Sequence, residues 1–381
     1  MAGIYIHIPF CKQACYYCDF HFSTSLKKKD ELLKALVLEI ELRKNELKDQ
    51  IVETIYFGGG TPSLLSIDEL HFLISAIYNN FDVVANPEIT LEANPDDLSK
   101  DLIIQLSNSP INRLSIGIQS FFEDDLQSMN RAHSSEEAKK CLSVATKYFD
   151  NITIDLIYGI PNMSLQKWNE NLQTAFSFGV NHISSYALTV ESKTALANFI
   201  KKGTYPPMDE ALALAHFNLL VDETEKQGFI HYEISNFAKP NYFSKHNTSY
   251  WQGTSYLGIG PSSHSFNGKE RSWNVANNTK YIKSIQDDKL PKEVEILSKK
   301  DRFNEYIMTG IRTIWGISLN KIEIDFGQDY KAHLLISAQK FINQGLLVIS
   351  NESEKSHNQI LITTKKGKFL ADGIASDLFM I

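Results

Sequence analysis

No apolar run in these 381 residues reaches the ~18 that a membrane-crossing helix requires. An excess of basic residues is missing too, since 38 Lys plus Arg stand against 45 Asp plus Glu for a net charge of -7. The first absence predicts a soluble protein, with peripheral membrane contact left open. The second argues against nucleic acid as a partner, because phosphate binding needs a basic footprint. Cysteine is scarce, with four in the whole chain. That is too few for a disulfide framework at this length, and the N-terminal residues feed a motif where a targeting segment would lie, so the expectation is a reducing, cytoplasmic setting. No repeat is visible beyond a βα alternation, and Lys27-Lys28-Lys29 is the one biased tract, read as a solvated helix approach. What the chain does have is core-forming material: 43% hydrophobic and 11% aromatic residues, enough for a sizeable core and about two domains.

Three of the four cysteines, Cys11, Cys15 and Cys18, stand in C-x3-C-x2-C spacing directly behind Gly3-Ile4-Tyr5-Ile6-His7-Ile8-Pro9-Phe10, a run with the composition of a buried strand. Three thiolates so spaced can each ligate one iron of a cubic 4Fe-4S cluster and leave the fourth iron open to a ligand. A structural zinc site wants a fourth ligand, usually from a second cysteine pair, and none follows. Cys141 lies far away in a helical pattern. Zinc and incidental thiols stay as the alternatives to a cluster.

Short β-rich runs at 4–8, 54–57, 88–92, 113–116, 152–157 and 182–188 alternate with helical patterns. Between the first two, Leu32, Leu33, Leu36, Val37, Ile40 and Leu47 recur at helical spacing. Repeated βα units predict a parallel sheet with right-handed crossovers, and six of them an α/β partial barrel, open on one side, with active groups at the strand C-terminal ends. Beyond it the pattern predicts a helix over 209–227 and shows no period over 228–278. From 301 it reads as three helices and two β runs, 346–349 and 359–363, separated by a polar loop. That order predicts a small α+β, winged-helix-like module, for which the acidic balance favours a packing role over DNA binding. The expected division is 1–195, 196–300 as a covering segment, and 301–381.

Several strand ends carry unusual residues. Phe57-Gly58-Gly59-Gly60-Thr61-Pro62 closes a strand with three glycines, which suits close backbone approach to a ligand but equally a tight turn. Glu92 puts a carboxylate where the pattern calls for an apolar residue, as a ligand acceptor or as a helix cap. His246, beside Tyr250 and Trp251, reads on spacing alone as a hydrogen-bonded structural histidine.

With Tyr5 to Phe10, Phe57 to Pro62, Glu92-Ala93-Asn94-Pro95, Gly117 to Phe121 and Asp155 to Pro161, the cysteine motif resembles that of the radical S-adenosylmethionine (SAM) enzymes. The branch is the one that contains the oxygen-independent coproporphyrinogen III oxidases and the HemW-type haem chaperones, and the resemblance covers nearly the whole chain. It implies a 4Fe-4S cluster on Cys11, Cys15 and Cys18, with a reductant for it, and SAM chelated to the open iron. It further implies SAM contacts from Gly59, Gly60, Thr61, Glu92, Gln119, Arg131 and Asp155, and from the backbone of Ala187. Arg131 would pair with the SAM carboxylate and Asp155 with a ribose hydroxyl. Tyr5 and Tyr17 would pack on SAM or substrate, and His7 would stand behind the cluster ligands.

Two departures separate the chain from the decarboxylating oxidases. Phe20 stands where they carry an additional cysteine, and only ten residues precede Cys11 where they carry an extension. Conversely, His246-Asn247-Thr248-Ser249-Tyr250-Trp251 is similar to the H-N-x-x-Y-W signature associated with haem in the chaperones, which implies His246 as a haem ligand, with His264 a weaker candidate for a haem or SAM contact. The expectation is therefore a haem chaperone that passes haem to an apo-haemoprotein. Its rival is a coproporphyrinogen III oxidase, which the family would drive with a 5'-deoxyadenosyl radical, and a further alternative is an interaction protein that keeps a cluster without turnover.

Overall fold

A computed structural model describes residues 1–351 and 359–381; residues 352–358, within the expected polar loop, lie outside them. The first half alternates as the sequence pattern predicts. Its elements are β1 (Ala2–Ile8), α1 (Lys29–Leu42), β2 (Val52–Gly59), α2 (Ile67–Asn80), β3 (Val83–Ala93), α3 (Lys100–Ser107), β4 (Arg113–Gln119), α4 (Glu123–Ser128), α5 (Ser135–Tyr148), β5 (Ile152–Tyr158), α6 (Leu165–Ser177) and β6 (His182–Ala187). Strands β1 to β6 are neighbours in sequence order and all parallel. The residues of β1, β2, β4 and β5 are buried almost without interruption, as expected of a parallel sheet covered by helices. Ser66 and Ser134 open α2 and α5 with capping boxes to Glu69 and Glu137, so both helices begin where the chain leaves the sheet.

The middle of the chain contributes α7 (Ala195–Lys201), α8 (Glu210–Lys226), β7 (Ile230–Glu233), β8 (Asn236–Ala238), α9 (Lys245–Trp251), β9 (Ser255–Ile259), β10 (His264–Phe266), β11 (Glu270–Asn274), α10 (Asn278–Gln286) and β12 (Lys292–Ile296). More than a cover, this stretch lengthens the sheet at both edges, giving the order β12-β11-β10-β9-β1-β2-β3-β4-β5-β6-β8-β7. Strand β9 joins β1 in parallel, Ala2 opposite Ser255 and Ile6 opposite Ile259. The aperiodic 228–278 thus holds strands of three to five residues, too short for alternation to register. A buried polar knot fixes them: Arg43 on α1 pairs with Glu39 at 3.0 Å and donates to the Gly258 carbonyl at 2.7 Å, while Glu39 accepts from the Gly260 amide at 2.8 Å and Asn274 at 2.7 Å. With these partners in place the buried charges are compensated.

The last segment runs α11 (Lys299–Ile311), β13 (Ile317–Ser318), α12 (Leu319–Phe326), α13 (Gln328–Asn343), β14 (Leu347–Asn351), β15 (Gln359–Thr363) and α14 (Ala371–Leu378). Its three strands form a separate sheet, β13-β15-β14, and it has its own core around Phe303, Ile307, Leu334, Leu361 and Ile374. The two-residue β13 and the final helix are additions to the three helices and two β runs read from the sequence.

Candidate functional site

The cysteines sit on the loop that leaves β1 at the C-terminal edge of the sheet, and that loop is tied down along its length. The Cys11 amide donates to the Ser23 carbonyl at 3.1 Å, the Ser23 amide to Pro9 at 2.9 Å, and the Tyr16 amide to Met129 at 3.1 Å. Lys12 forms ion pairs with Asp96 and Asp97 beyond β3, and Gln13 donates to the Asn130 carbonyl at 3.0 Å. All three thiols are free and half-buried, and burial raises Cys11 above the ordinary thiol range and Cys18 to about 11. Cys141 is buried within α5, apart from them.

The neighbouring strand ends converge on this loop. Gly59 has φ +104°, and a Cβ there would lie 2.4 Å from the His7 ring. At Gly60 a Cβ would meet the Phe10 and Ile8 carbonyls at 2.6 and 2.7 Å, and the Gly60 amide already donates to Ile8 at 2.9 Å. The glycines therefore serve first to let β2 and the cysteine loop approach, which the sequence left level with a ligand role. Thr61 is buried and accepts from Asn94 at 3.2 Å. Glu92 accepts from Tyr56 at 2.8 Å and from the Gly59 amide at 3.1 Å; burial raises its pKa against these bonds.

Arg131 crosses from the α4–α5 connection. It donates to Asn94 at 2.6 Å and to the Gly117 carbonyl at 2.9 Å, and approaches Cys15 Sγ at 3.4 Å and the Tyr17 hydroxyl at 3.5 Å. Asn94, which bridges Thr61 and Arg131, was legible only as part of the Glu92-Ala93-Asn94-Pro95 run. Gln119 ends β4 at φ +65°, where the β4–β5 register shifts, a bulge that re-aims its side chain. Ala187 ends β6 opposite Tyr158.

Two features of this edge await a ligand. Arg131 Nε is buried without a partner, and the Asp155 side chain makes no hydrogen bond among the described residues. Burial first, and then the Glu92 charge, hold the Asp155 carboxyl up at about 7. A cation-bearing carboxylate ligand with ribose hydroxyls suits such a lining of carboxylates, amide and guanidinium, so the residues fit SAM.

Beside β1 a cavity of about 1180 Å³ opens between the sheet edge and the C-terminal segment, with Tyr5, His7, Phe20, Tyr250, Trp251 and His264 among its lining residues. Phe20 is 68% exposed. No helix among the described residues is long and apolar enough to cross a membrane.

Residues 5–175 match the radical SAM superfamily, and residues 297–353 the HemN C-terminal domain. The chain is 32% identical to the heme chaperone HemW of Lactococcus lactis subsp. lactis (strain IL1403), covering 97% of each, and 32% identical to that of Bacillus subtilis (strain 168), covering 98% of each. The chain belongs to the HemW family. The fold is also that of the Escherichia coli coproporphyrinogen III oxidase HemN, at TM-score 0.84 and 23% identity over 100% of this chain and 90% of that one. Superfamily membership implies a 4Fe-4S cluster and SAM.

In the 246–251 segment the histidine is enclosed, as its spacing alone suggests. His246 is 0% exposed; its Nδ1 is hydrogen-bonded to Thr54 Oγ1 at 2.7 Å and its Nε2 to the Tyr250 hydroxyl at 2.7 Å. Its ring stacks on Tyr56 at 4.9 Å, and burial lowers its pKa to about 3. Both nitrogens are hydrogen-bonded, and the ring pins α9 to β2. Tyr250 and Trp251, one turn on, are the members of the segment that reach the cavity.

Proposed function

We propose that this chain holds a 4Fe-4S cluster on Cys11, Cys15 and Cys18, binds SAM against Gly59, Gly60, Thr61, Glu92, Gln119, Arg131, Asp155 and Ala187, and carries haem to an apo-haemoprotein. The observation that supports the reading most is the cavity: it begins at Tyr5 and His7, on the strand that carries the cysteines, and it is roomier than the ~300–1,000 Å³ of ordinary small-ligand pockets. Its aromatic walls suit an apolar macrocycle. When bound, the cluster would supply an electron to SAM at its open iron. The chain's own residues fix the cysteine loop, orient SAM between Arg131 and Asp155, and screen both from the cavity with Tyr5 and His7. Relatives named heme chaperones align over nearly the full chain.

The test is anaerobic cluster reconstitution, followed in parallel by haem titration, haem transfer to apomyoglobin and a coproporphyrinogen decarboxylation assay. Cluster content should vanish in Cys11→Ala, Cys15→Ala and Cys18→Ala and persist in Cys141→Ala. Haem should bind and transfer without decarboxylation, since Phe20 supplies no further thiol. Robust turnover of coproporphyrinogen would overturn the chaperone reading in favour of the oxidase.

A further inference from the structure

Four histidines lie on or beside the cavity wall, and their hydrogen bonding sorts them. His246 has both nitrogens occupied. His7 is buried, with Nε2 on the His21 carbonyl at 3.0 Å and Nδ1 at 3.2 Å from the Tyr5 hydroxyl. His21 has Nε2 on Asn278 at 2.7 Å. His264, at the head of β10, is exposed to the cavity and makes no hydrogen bond among the described residues. Its ring is steadied by Trp273, its antiparallel partner, with ring centroids 6.1 Å apart.

A second feature lines the same cavity. Arg302, on α11 of the C-terminal segment, makes no side-chain hydrogen bond or ion pair among the described residues, whereas Arg271 nearby is paired with Glu305. An unpartnered imidazole from the sheet, an unpartnered guanidinium from the C-terminal segment and the aromatic rings of Tyr250, Trp251 and Phe266 in one cavity match an iron, a carboxylate and a macrocycle in one ligand. We infer that His264 is the axial ligand to the haem iron and that Arg302 receives a haem propionate, an assignment that rests on the haem-carrying reading. Burial, and then Arg271, lower the His264 pKa, which keeps its lone pair available near neutrality. The sheet would then hold the iron and the C-terminal segment the propionate edge, so a relative shift of that segment would loosen haem.

The assignment is tested on the full-length, cluster-loaded chain titrated with ferric haem and read by resonance Raman and low-spin ferric paramagnetic resonance. Wild type should show imidazole ligation. His264→Ala should lose that signature, bind haem about tenfold or more weakly, and regain the signature on adding imidazole, while His21→Ala keeps it. Arg302→Gln should weaken haem but leave the ligation spectrum unchanged, and the dimethyl ester of haem should bind wild type and Arg302→Gln alike. Iron content and thermal midpoint equal to wild type in His264→Ala exclude a folding defect, which an exposed side chain makes improbable in any case. An unchanged imidazole signature in His264→Ala overturns the ligand assignment and leaves haem carriage standing. Failure of wild type to bind haem at all overturns the reading beneath it.

Discussion

At His246 three interactions meet on one ring: Thr54 on β2, Tyr250 one turn along α9, and the stacked face of Tyr56. Removing the ring leaves the buried Thr54 hydroxyl unpaired and a void between β2 and α9. His246→Ala should therefore destabilise the whole chain by about 3–5 kcal/mol, and Thr54→Val by about 1–2 kcal/mol, as read from urea midpoints; a wild-type midpoint in His246→Ala would show that the ring is not a pin. The three cysteines could be singled out because their shared loop and close spacing are local properties of the sequence. The ranking of the histidines was less legible, since sequence does not show which nitrogens are hydrogen-bonded. The same limit left His264 the weaker candidate, because its distinguishing property is a hydrogen bond it does not make. His21 and Asn94 went unread for a related reason, as each acts through a partner far along the chain.

On the scale of elements, all six strands of the parallel sheet were legible in place and order, because buried runs are bounded by polar turns, although β3 begins at Val83, ahead of the run read at 88–92, and β4 continues to Gln119. The edge strands were not, because their pairing with β1 and β6 depends on contacts that a local pattern cannot contain. The join between β2 and the cysteine loop gives a sharp prediction. Gly60→Ala puts a Cβ into the Phe10 and Ile8 backbone and should cut the iron retained after reconstitution to a small fraction of wild type. Gly373→Ala, in α14, meets nothing within 4 Å and should raise stability by about 0.5–1 kcal/mol. Full iron loading in Gly60→Ala would mean that the loop can shift without losing its ligand geometry.

For the molecule as a whole, buried neutral histidines set the acid limit. Burial lowers His7 and His133 to about 4 and His231 and His246 to about 3. In the unfolded chain these rings take up protons near pH 6.5, so their contribution is fully present above that value and falls as pH drops from about 6.5 toward 4. Asp155 acts in the opposite sense: with its carboxyl raised to about 7, its share of stability is present at low pH and lost as pH rises through 7. Among the described residues burial lowers seven rings, with His182, His216 and His264 beside these four, and raises five carboxyls, Glu92, Asp97, Asp125, Asp155 and Glu305, so the rings prevail. The urea midpoint should therefore fall by the equivalent of a few kcal/mol between about pH 7 and about pH 5, and Asp155→Asn should raise it by an amount that grows from about pH 4 and is complete above about pH 7. A midpoint flat across that interval would place the rings in contact with water.

The parallel pairing of β1 with β9 also bears on how the chain is made. Ala2 waits for Ser255, and at ~5–20 residues per second the ribosome needs roughly 10 to 50 s to deliver it. Throughout that interval β1 has a partner on one side only, and the loop carrying Cys11, Cys15 and Cys18 hangs from the end of an open edge. For the cluster proposed on these thiols, that interval is the time in which the loop is reached past an unclosed sheet, so loading during synthesis would compete with the closing of the sheet.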